Sequence, residues 1–426
     1  MYRLASRCRD QGDSSPPRRL GSFLLVAVAF ATLSGITQCS NVLCPVVDAN
    51  GDPVLDENGD PLREPCVRCT LTAAEAIDAP CSESTWTLPA GGTCSAAPIP
   101  NLPDGELCDL NGVGDGVCDD GVCAVAGPEV QREAAYEVEV TTLTYAQGQT
   151  HDDWRGAVNG TVDLILDLYE PIGAPQGRPA VIVMHGGGFV GGTRNNSNSE
   201  GFARYFAERG FVAINIDYRI ASDRGTIPQE WADFIASFVP VAQRPQGYAL
   251  YPAARDAKAA VRWLYANAES YGVDTEYVTS IGGSAGSFLA IMLGVTDEAD
   301  FRDELDQAED PTLASTNLGA GAKVHTIIDH WGGISHAEAL EMIDGRSRFD
   351  ESDAPVSIVH GTADSTVLFE EAEKLRDAYD QTGVPYAFYP VVGGGHGIWG
   401  TIIEGLTLQE LAFEFVLEQQ RLQVAD

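Results

Sequence analysis

A serine inside a glycine-rich pentapeptide is the first candidate for chemistry. Residues 282–286 read Gly-Gly-Ser-Ala-Gly and fit the pattern G-x-S-x-G, with Ser284 at the centre. Apolar and β-branched residues precede it and a helix-compatible run follows, so the pattern predicts a strand, a sharp turn that carries the serine, and a helix. Gly282 and Gly286 supply the small residues that such a crowded turn needs. An ordinary glycine turn before a helix is the other interpretation of the pentapeptide alone.

A serine hydroxyl attacks a carbonyl carbon only with help from a base, a carboxylate that orients the base, and N–H donors for the oxyanion. Asp364 follows the apolar run at 355–359, and His396 lies in a glycine-rich segment after the run at 386–392. Both residues therefore stand just past the end of a predicted strand, as Ser284 does. We expect Ser284 to act as nucleophile, His396 as base and Asp364 as the orienting acid.

Other acids and histidines fit these roles less well. Asp350 and Asp353 precede the predicted strand at 355–359 and so lie at its wrong end. His185 belongs to a glycine loop and His360 stands before the acid loop, where structural roles are expected. No histidines or cysteines of the chain complete a set at metal-ligand spacing, so no metal site is predicted.

The oxyanion donors are expected from a second glycine-rich loop. A buried strand at 180–184 runs into His-Gly-Gly-Gly-Phe at 185–189, where backbone without side chains can aim N–H groups at a substrate oxygen. We assign this role to the N–H groups of Gly187, Gly188 and Ala285. Phe189, at the end of the loop, is expected to contact substrate.

From about residue 140 onward the chain resembles the esterase and lipase branch of the α/β-hydrolase fold, which includes carboxylesterases, hormone-sensitive-lipase-like enzymes and feruloyl-esterase-like proteins. The motifs that carry the resemblance lie at 185–188, 217–219, 254–257 and 282–286, with the order serine, aspartate, histidine. One departure is Gly283, where hormone-sensitive-lipase-like members usually have an acidic residue.

The resemblance implies a serine carboxylic ester hydrolase that forms an acyl-enzyme and needs no cofactor. We expect short acyl groups in small-molecule or polymer-linked esters. An esterase for plant-wall acyl groups, either feruloyl or acetyl xylan, or for polyesters is the alternative within enzymes. The alternative from another class is a surface binding protein with an inactive hydrolase domain.

The fold class follows from the alternation of strands and helices. Two amphipathic strands at 137–145 and 161–169 are followed by shorter apolar strands that alternate with helices. This pattern predicts the α/β-hydrolase architecture, a doubly wound and mostly parallel sheet with helices on both faces. The apolar strands are predicted at 180–184, 211–216, 277–281, 324–328, 355–359 and 386–392, and the helices at 254–267, 370–381 and 404–420.

Two segments interrupt the alternation. In the insertion at 220–252, Trp231, Phe234 and Phe238 recur at helical spacing, which fits either a surface helix or the wall of an acyl pocket. We include Trp231 and Phe234 among the expected substrate-binding residues. The second segment, at 297–310, is strongly acidic and is expected to be solvated.

Composition limits the partners. The 426 residues include 62 acidic and 26 basic side chains, for a formal net charge of −36. A surface of this charge repels nucleic acid and anionic membranes. The length exceeds the usual range of a single domain, and the sequence sets no oligomeric state.

The N-terminal part of the chain predicts export. Arginines followed by an apolar run at 23–33 indicate a signal peptide over 1–38, so an extracellular, periplasmic or lipid-anchored location is expected. All ten cysteines lie between Cys8 and Cys123, which predicts a small disulfide-stabilised region at 39–127 ahead of the catalytic domain at 128–426. If Cys39 carries a lipid, eight cysteines remain for four disulfides; without a lipid one thiol is unpaired.

Overall fold

The computed structural model describes residues 127–425 with their side chains and, before them, only the backbone of short strands between residues 36 and 125. Contacts between Cα atoms divide the chain into two compact units, Met1–Val125 and Ala126–Asp426. The side chains of all ten cysteines, and nearly all of the predicted signal peptide, lie outside the described residues. The disulfide, lipid-anchor and export expectations therefore stay predictions.

The described strands of the first unit form two small sheets. Strands β1 (Ile36–Pro45) and β2 (Arg63–Leu71) pair in antiparallel fashion. The second sheet has the order β3-β6-β5-β4 and contains β3 (Ala79–Pro80), β4 (Leu107–Asp109), β5 (Asp115–Asp119) and β6 (Val122–Val125).

An eight-stranded sheet forms the centre of the second unit, in the order β15-β14-β13-β12-β10-β11-β9-β8. The strands β10 to β15 are parallel to one another, whereas β9 pairs antiparallel with both β11 and β8. The bounds of these strands are β8 Val138–His151, β9 Val158–Pro171, β10 Arg178–Met184, β11 Val212–Ile216, β12 Val273–Gly283, β13 Thr326–His330, β14 Val356–Gly361 and β15 Tyr386–Val391.

Helices cover the sheet, and a short parallel pair of strands joins the two ends of the unit, β7 (Glu129–Gln131) with β16 (Gln423–Ala425). None of the helices in the described residues is long and apolar enough to cross a membrane. The helices are α1 Ser197–Ala207, α2 Gln229–Phe238, α3 Arg244–Ala266, α4 Ala268–Tyr271, α5 Ala285–Val295, α6 Ser335–Asp344, α7 Phe369–Thr382 and α8 Leu408–Gln419, with 3-10 turns at Val241–Gln243 and Pro311–Ser315.

The core has two layers because successive side chains of a strand point to opposite faces of the sheet. In β10, Ala180, Ile182 and Met184 pack in a cluster with helices α3 and α5. Val181 and Val183 of the same strand pack with α1 and α8 on the other face. The near-continuous apolar character of β10 follows from its burial on both faces. The mostly parallel sheet with helices on both faces confirms the predicted α/β-hydrolase fold class.

Helix α3 differs from the prediction, because it begins at Arg244 rather than at Ala254. The insertion therefore ends at residue 243 and not at Pro252. Pro245 lies in the first helical turn, where the missing N–H has no cost. Pro252 lies inside the helix and is buried, so packing of the surrounding helix outweighs the usual penalty of about 3 kcal/mol for an interior proline.

The acidic segment at 297–310 was expected to be solvated, and this prediction is wrong for its anchoring residues. Phe301 is fully buried, and Leu305 and Asp310 are buried as well. The ammonium of Lys258, itself buried, donates to the carbonyls of Asp297 and Asp300. The segment folds over helix α3 because it carries apolar side chains among its acids.

Candidate active site

Ser284 lies at the turn between β12 and α5, in the strained conformation that the pentapeptide predicts. Its φ and ψ are 56° and −125°, a region that non-glycine residues rarely occupy. A Cβ on Gly282 would overlap the carbonyl group of Gly286, and a Cβ on Gly286 would overlap the carbonyl oxygen of Met184. Glycine is therefore required two residues before and two residues after the serine, because backbone occupies the space.

Ser284, His396 and Asp364 form one hydrogen-bonded chain. His396 Nε2 lies 2.9 Å from Ser284 Oγ, and His396 Nδ1 lies 2.7 Å from Asp364 Oδ2. Because a carboxylate only accepts, the proton is on Nδ1, and Nε2 is left to accept from the serine hydroxyl. The structure brings together all three side chains that the sequence analysis selected, in the geometry that proton transfer from Ser284 requires.

The acid is held in turn by its own loop. Asp364 is buried, and its Oδ1 accepts hydrogen bonds from the N–H groups of Thr366 (2.8 Å) and Val367 (3.1 Å). His360 donates through Nε2 to the carbonyl of Val367 at 2.9 Å, and the same nitrogen lies 3.5 Å from Asp364 Oδ2. These contacts leave Oδ2 aimed at His396.

The glycine loop at 185–189 turns sharply beside the serine. Gly187, Gly188 and Phe189 all have positive φ, at 124°, 61° and 60°. The N–H groups of Gly187 and Gly188 donate to no acceptor within the described part of the chain, and both glycines face a cavity that also contains Ser284. Free N–H groups at this position are what an oxyanion site requires.

Stacking and hydrogen bonds fix the start of this loop. The ring of His185 stacks on Tyr218 at 4.2 Å between centroids, and the Tyr218 hydroxyl donates to the carbonyl of His185 at 2.6 Å. Burial lowers the pKa of His185 below its ordinary value. His185 Nδ1 contacts the carbonyl oxygen of Gly186 at 2.7 Å, so this histidine holds backbone and does not face the serine.

Ion pairs fix the neighbouring segments. Arg194 pairs with both Asp167 and Asp217, which ties the end of the glycine loop to strands β9 and β11. The guanidinium of Arg219 contacts both carboxylate oxygens of Asp256, and both residues are buried. Burial raises the pKa of Asp256, which the charge of Arg219 opposes. The motifs at 217–219 and 254–257 therefore serve to fix helix α3 against the sheet.

A cavity of about 720 Å³ opens on one side of Ser284. Its lining includes Phe189, Trp231 and Phe234, the three residues predicted to bind substrate, together with Ala285. Trp231 is only 2% exposed, and its indole N–H donates to the carbonyl of Gly247 at 3.0 Å. Helix α2 is thus both packed on the domain and part of the cavity wall. The packed surface helix and the pocket wall are therefore compatible interpretations of the insertion.

Phe238 departs from the predicted aromatic face. Its side chain is 65% exposed, and it is absent from the lining of the cavity. Helix α2 ends at Phe238, and the exposed ring packs at 5.3 Å from Phe234. The periodic pattern identified the correct face but extended it one turn too far.

A second cavity, of about 540 Å³, also reaches Ser284. It is lined by His396, by the glycine loop, and by Trp331 and Trp399. Sequence reasoning missed both tryptophans, although Trp399 stands three residues after His396 in a glycine-rich loop. Phe288, one turn into α5, was missed for the first cavity.

Two further buried groups near the site were not anticipated. Asp329 Oδ1 accepts from the Ser287 hydroxyl and from the N–H of Gly332, and burial raises the pKa of this carboxyl group. His336 lies among the rings of Phe189, Phe288 and Phe301, and neither of its nitrogens has a hydrogen-bond partner within the described residues. Burial lowers the pKa of His336 to about 3, so this imidazole is neutral.

No group of three or more histidine, cysteine, aspartate or glutamate residues within 127–425 is arranged to hold a metal ion. What the arrangement provides is a positioned hydroxyl, a base, a buried carboxylate and free N–H donors. That set of groups can carry out acyl transfer through a covalent serine intermediate.

Comparison with known proteins finds one family model and several esterases that are similar to this chain. The family model BD-FAE matches residues 166–248 and 237–346. The chain is 25% identical to Esterase LipC of Mycobacterium tuberculosis over 260 residues. This alignment covers 55% of this chain and 56% of LipC. It is 30% identical over 128 residues to Carboxylesterase 3 of Homo sapiens, covering 30% of this chain and 19% of that protein.

Among solved structures, Thermogutta terrifontis esterase 2 phosphorylated by paraoxon matches with a TM-score of 0.47 and 25% identity, over 66% of this chain and 95% of that one. The sequence alignments with LipC and with the human carboxylesterase span only about half and about a fifth of the length of those proteins.

Proposed function

We propose that this chain is an esterase of the α/β-hydrolase fold, like the relatives that it resembles, and that it hydrolyses carboxylic esters through an acyl-enzyme on Ser284. The observation that carries the proposal is the hydrogen-bonded chain of Ser284, His396 and Asp364, whose serine lines two cavities. The relatives support the reaction class, and the geometry supports the assignment of roles.

In the proposed reaction, Ser284 Oγ attacks the ester carbonyl carbon while His396 Nε2 takes its proton. Asp364 stabilises the resulting imidazolium through Nδ1. The N–H groups of Gly187, Gly188 and Ala285 stabilise the negative oxygen, and each such donor is worth about 3 kcal/mol in the transition state. His396 then protonates the departing alcohol, and water releases the acid by the reverse sequence.

The acyl group is proposed to occupy the larger cavity. Its wall of Phe189, Trp231, Phe234 and Phe288 suits an apolar chain, since each buried methylene contributes about 0.8 kcal/mol. The sequence predicts acyl groups of two to six carbons. The volume of about 720 Å³ leaves room beyond six carbons, so chain length is the property to measure first.

The test is a panel of p-nitrophenyl esters from two to twelve carbons, with feruloyl and acetylated-sugar esters added for the plant-wall alternative and a soluble polyester fragment for the polymer alternative. We expect wild-type protein to hydrolyse at least the short esters and to be labelled by a fluorophosphonate. Ser284→Ala should lose labelling and at least roughly 10³-fold in rate. Absence of turnover and labelling in folded wild-type protein would favour the alternative of an inactive binding protein.

Export, the disulfides of residues 39–127 and a lipid on Cys39 are proposed from the sequence alone. Intact-mass measurement of the exported protein would detect the lipid and count the free thiols. At most one free thiol is expected.

A further inference from the structure

The two cavities beside Ser284 are not equivalent with respect to the base. His396 lines the smaller cavity and is absent from the lining of the larger one. In the proposed reaction His396 Nε2 gives its proton to the oxygen of the departing alcohol, so that oxygen must face the imidazole. The smaller cavity is therefore on the side of the alcohol, and this step rests on the proposed function.

Trp399 occupies the end of that smaller cavity next to the nucleophile turn. The indole lies directly against Gly283: a Cβ on that glycine would overlap Cη2 of the ring and would lie 2.5 Å from Cζ2. The position before Ser284 must therefore lack a side chain while the indole is in place. This accounts for the glycine where the resemblance leads one to expect an acidic residue.

Neighbouring rings hold the indole of Trp399 in this position. Trp331 packs against it at 4.7 Å between centroids and an interplanar angle of 77°, and His330 and Phe202 pack at 5.5 Å and 6.0 Å. Edge-to-face contacts of this kind add to the burial of aromatic rings. Trp331 also lies 6.4 Å from the ring of His396, so the same aromatic group borders the base.

We propose that Trp399 is the specificity-determining residue for the alcohol part of the substrate. Its indole limits the space of the smaller cavity beside Ser284 and His396, and Gly283 is the residue that allows the indole to be there. Bulky alcohols are excluded by the ring, whereas small alcohols fit beside it. The residues of the larger cavity, such as Trp231, have no part in this selection.

The experiment compares esters that share one acyl group. The ratio of kcat/KM for naphthylmethyl acetate to that for ethyl acetate is measured in wild type and in Trp399→Ala, since alkyl alcohols of both kinds leave with similar ease. We expect this alcohol ratio to be roughly tenfold or more higher in Trp399→Ala than in wild type. The reason is that the naphthyl ring can be buried in the space that the indole leaves. The ratio for ethyl hexanoate to ethyl acetate, which reports on the acyl side, should change by less than about twofold.

Trp154→Ala is the matched control. Trp154 is another half-buried tryptophan, packs on Tyr248 at 5.3 Å, and lines neither of the two cavities. Its substitution should leave both ratios at the wild-type value. A changed alcohol ratio in this control would mean that the effect of Trp399→Ala is not local.

A second pair of variants keeps the inference testable if Trp399→Ala does not fold. Gly283→Ala should push the indole into the cavity and lower the alcohol ratio, and the double variant Gly283→Ala/Trp399→Ala should lose that effect. An unchanged alcohol ratio in folded Trp399→Ala, or in folded Gly283→Ala, would overturn the inference while ester hydrolysis itself stands. Failure of wild type to hydrolyse any ester would overturn the proposed function instead.

Discussion

At the scale of single residues, the site depends on backbone that is held in unfavourable conformations. Ser284 has a φ of 56°, and Phe189 in the glycine loop has a φ of 60°. Conformations of this kind cost on the order of 1–3 kcal/mol each, and they persist only where the surroundings enforce them. The close approach of Gly286 to the carbonyl oxygen of Met184 is one of the contacts that enforce the serine turn.

Gly286→Ala tests this dependence. The new methyl group would overlap backbone that cannot move without shifting β10, so we expect a loss of about 3 kcal/mol or more in the free energy of unfolding and loss of ester hydrolysis. Gly319→Ala is the control, because a Cβ at Gly319 meets nothing within 4 Å. Chemical denaturation of both variants gives the comparison, and equal stability would contradict the argument.

At the scale of elements, the acidic segment at 297–310 supports the wall of the larger cavity. The ring of Phe301 packs at 6.0 Å from Trp231, 5.3 Å from Tyr251 and 6.1 Å from His336. Trp231 lines the larger cavity, whereas Phe301 does not. Phe301 therefore supports the cavity wall without lining the cavity itself.

Phe301→Ala should lower the free energy of unfolding by about 3–5 kcal/mol, the usual cost of removing a buried phenylalanine ring. Because Trp231 loses its support, we also expect the preferred acyl chain to become longer in the ester panel. Arg302→Ala, which removes the partly exposed pair with Asp303, should cost less than about 1 kcal/mol. If Arg302→Ala also shifts the preferred acyl chain length, the cause is general loosening of the segment and not the loss of the Phe301 ring.

At the scale of the whole molecule, the response to acid is set by buried groups as much as by the net charge of −36. Burial lowers the pKa of His330 to about 4 and that of His336 to about 3. In the unfolded chain these imidazoles titrate near 6.5. Below that pH the unfolded state binds protons that the native state excludes, so stability is fully present above about pH 6.5 and declines as the pH falls toward the native pKa values.

His336→Leu tests this at a residue that has no hydrogen bond to lose within the described chain. We expect its free energy of unfolding to fall less steeply than that of wild type between about pH 6 and 4.5, by up to about 1.4 kcal/mol per pH unit. His336→Gln should show the same shallower slope but lower stability at pH 7, because its amide stays unpaired. If both variants follow the wild-type slope, His336 does not control the acid response.

What the sequence by itself determined was local. The strand, turn and helix around Ser284 follow from neighbouring residues, because glycines two before and two after the serine meet the demands of a turn within the same short segment. The apolar runs before Asp364 and His396 likewise predict strands, and parallel strands bring their carboxyl ends to one edge of a sheet. The selection of these three residues, together with Phe189, Trp231 and Phe234, needed no tertiary structure.

Only the tertiary structure decided how distant segments meet. Ser284 and His396 are 112 residues apart, and Trp399 contacts Gly283 from a segment that is similarly distant in sequence. Helix α3 continues through Pro252 because the surrounding packing outweighs a local penalty, and Phe301 anchors an acidic segment whose composition predicts a solvated loop. Contacts of this kind depend on which surfaces lie opposite each other after folding, and no pattern within one segment encodes the shape of the partner surface.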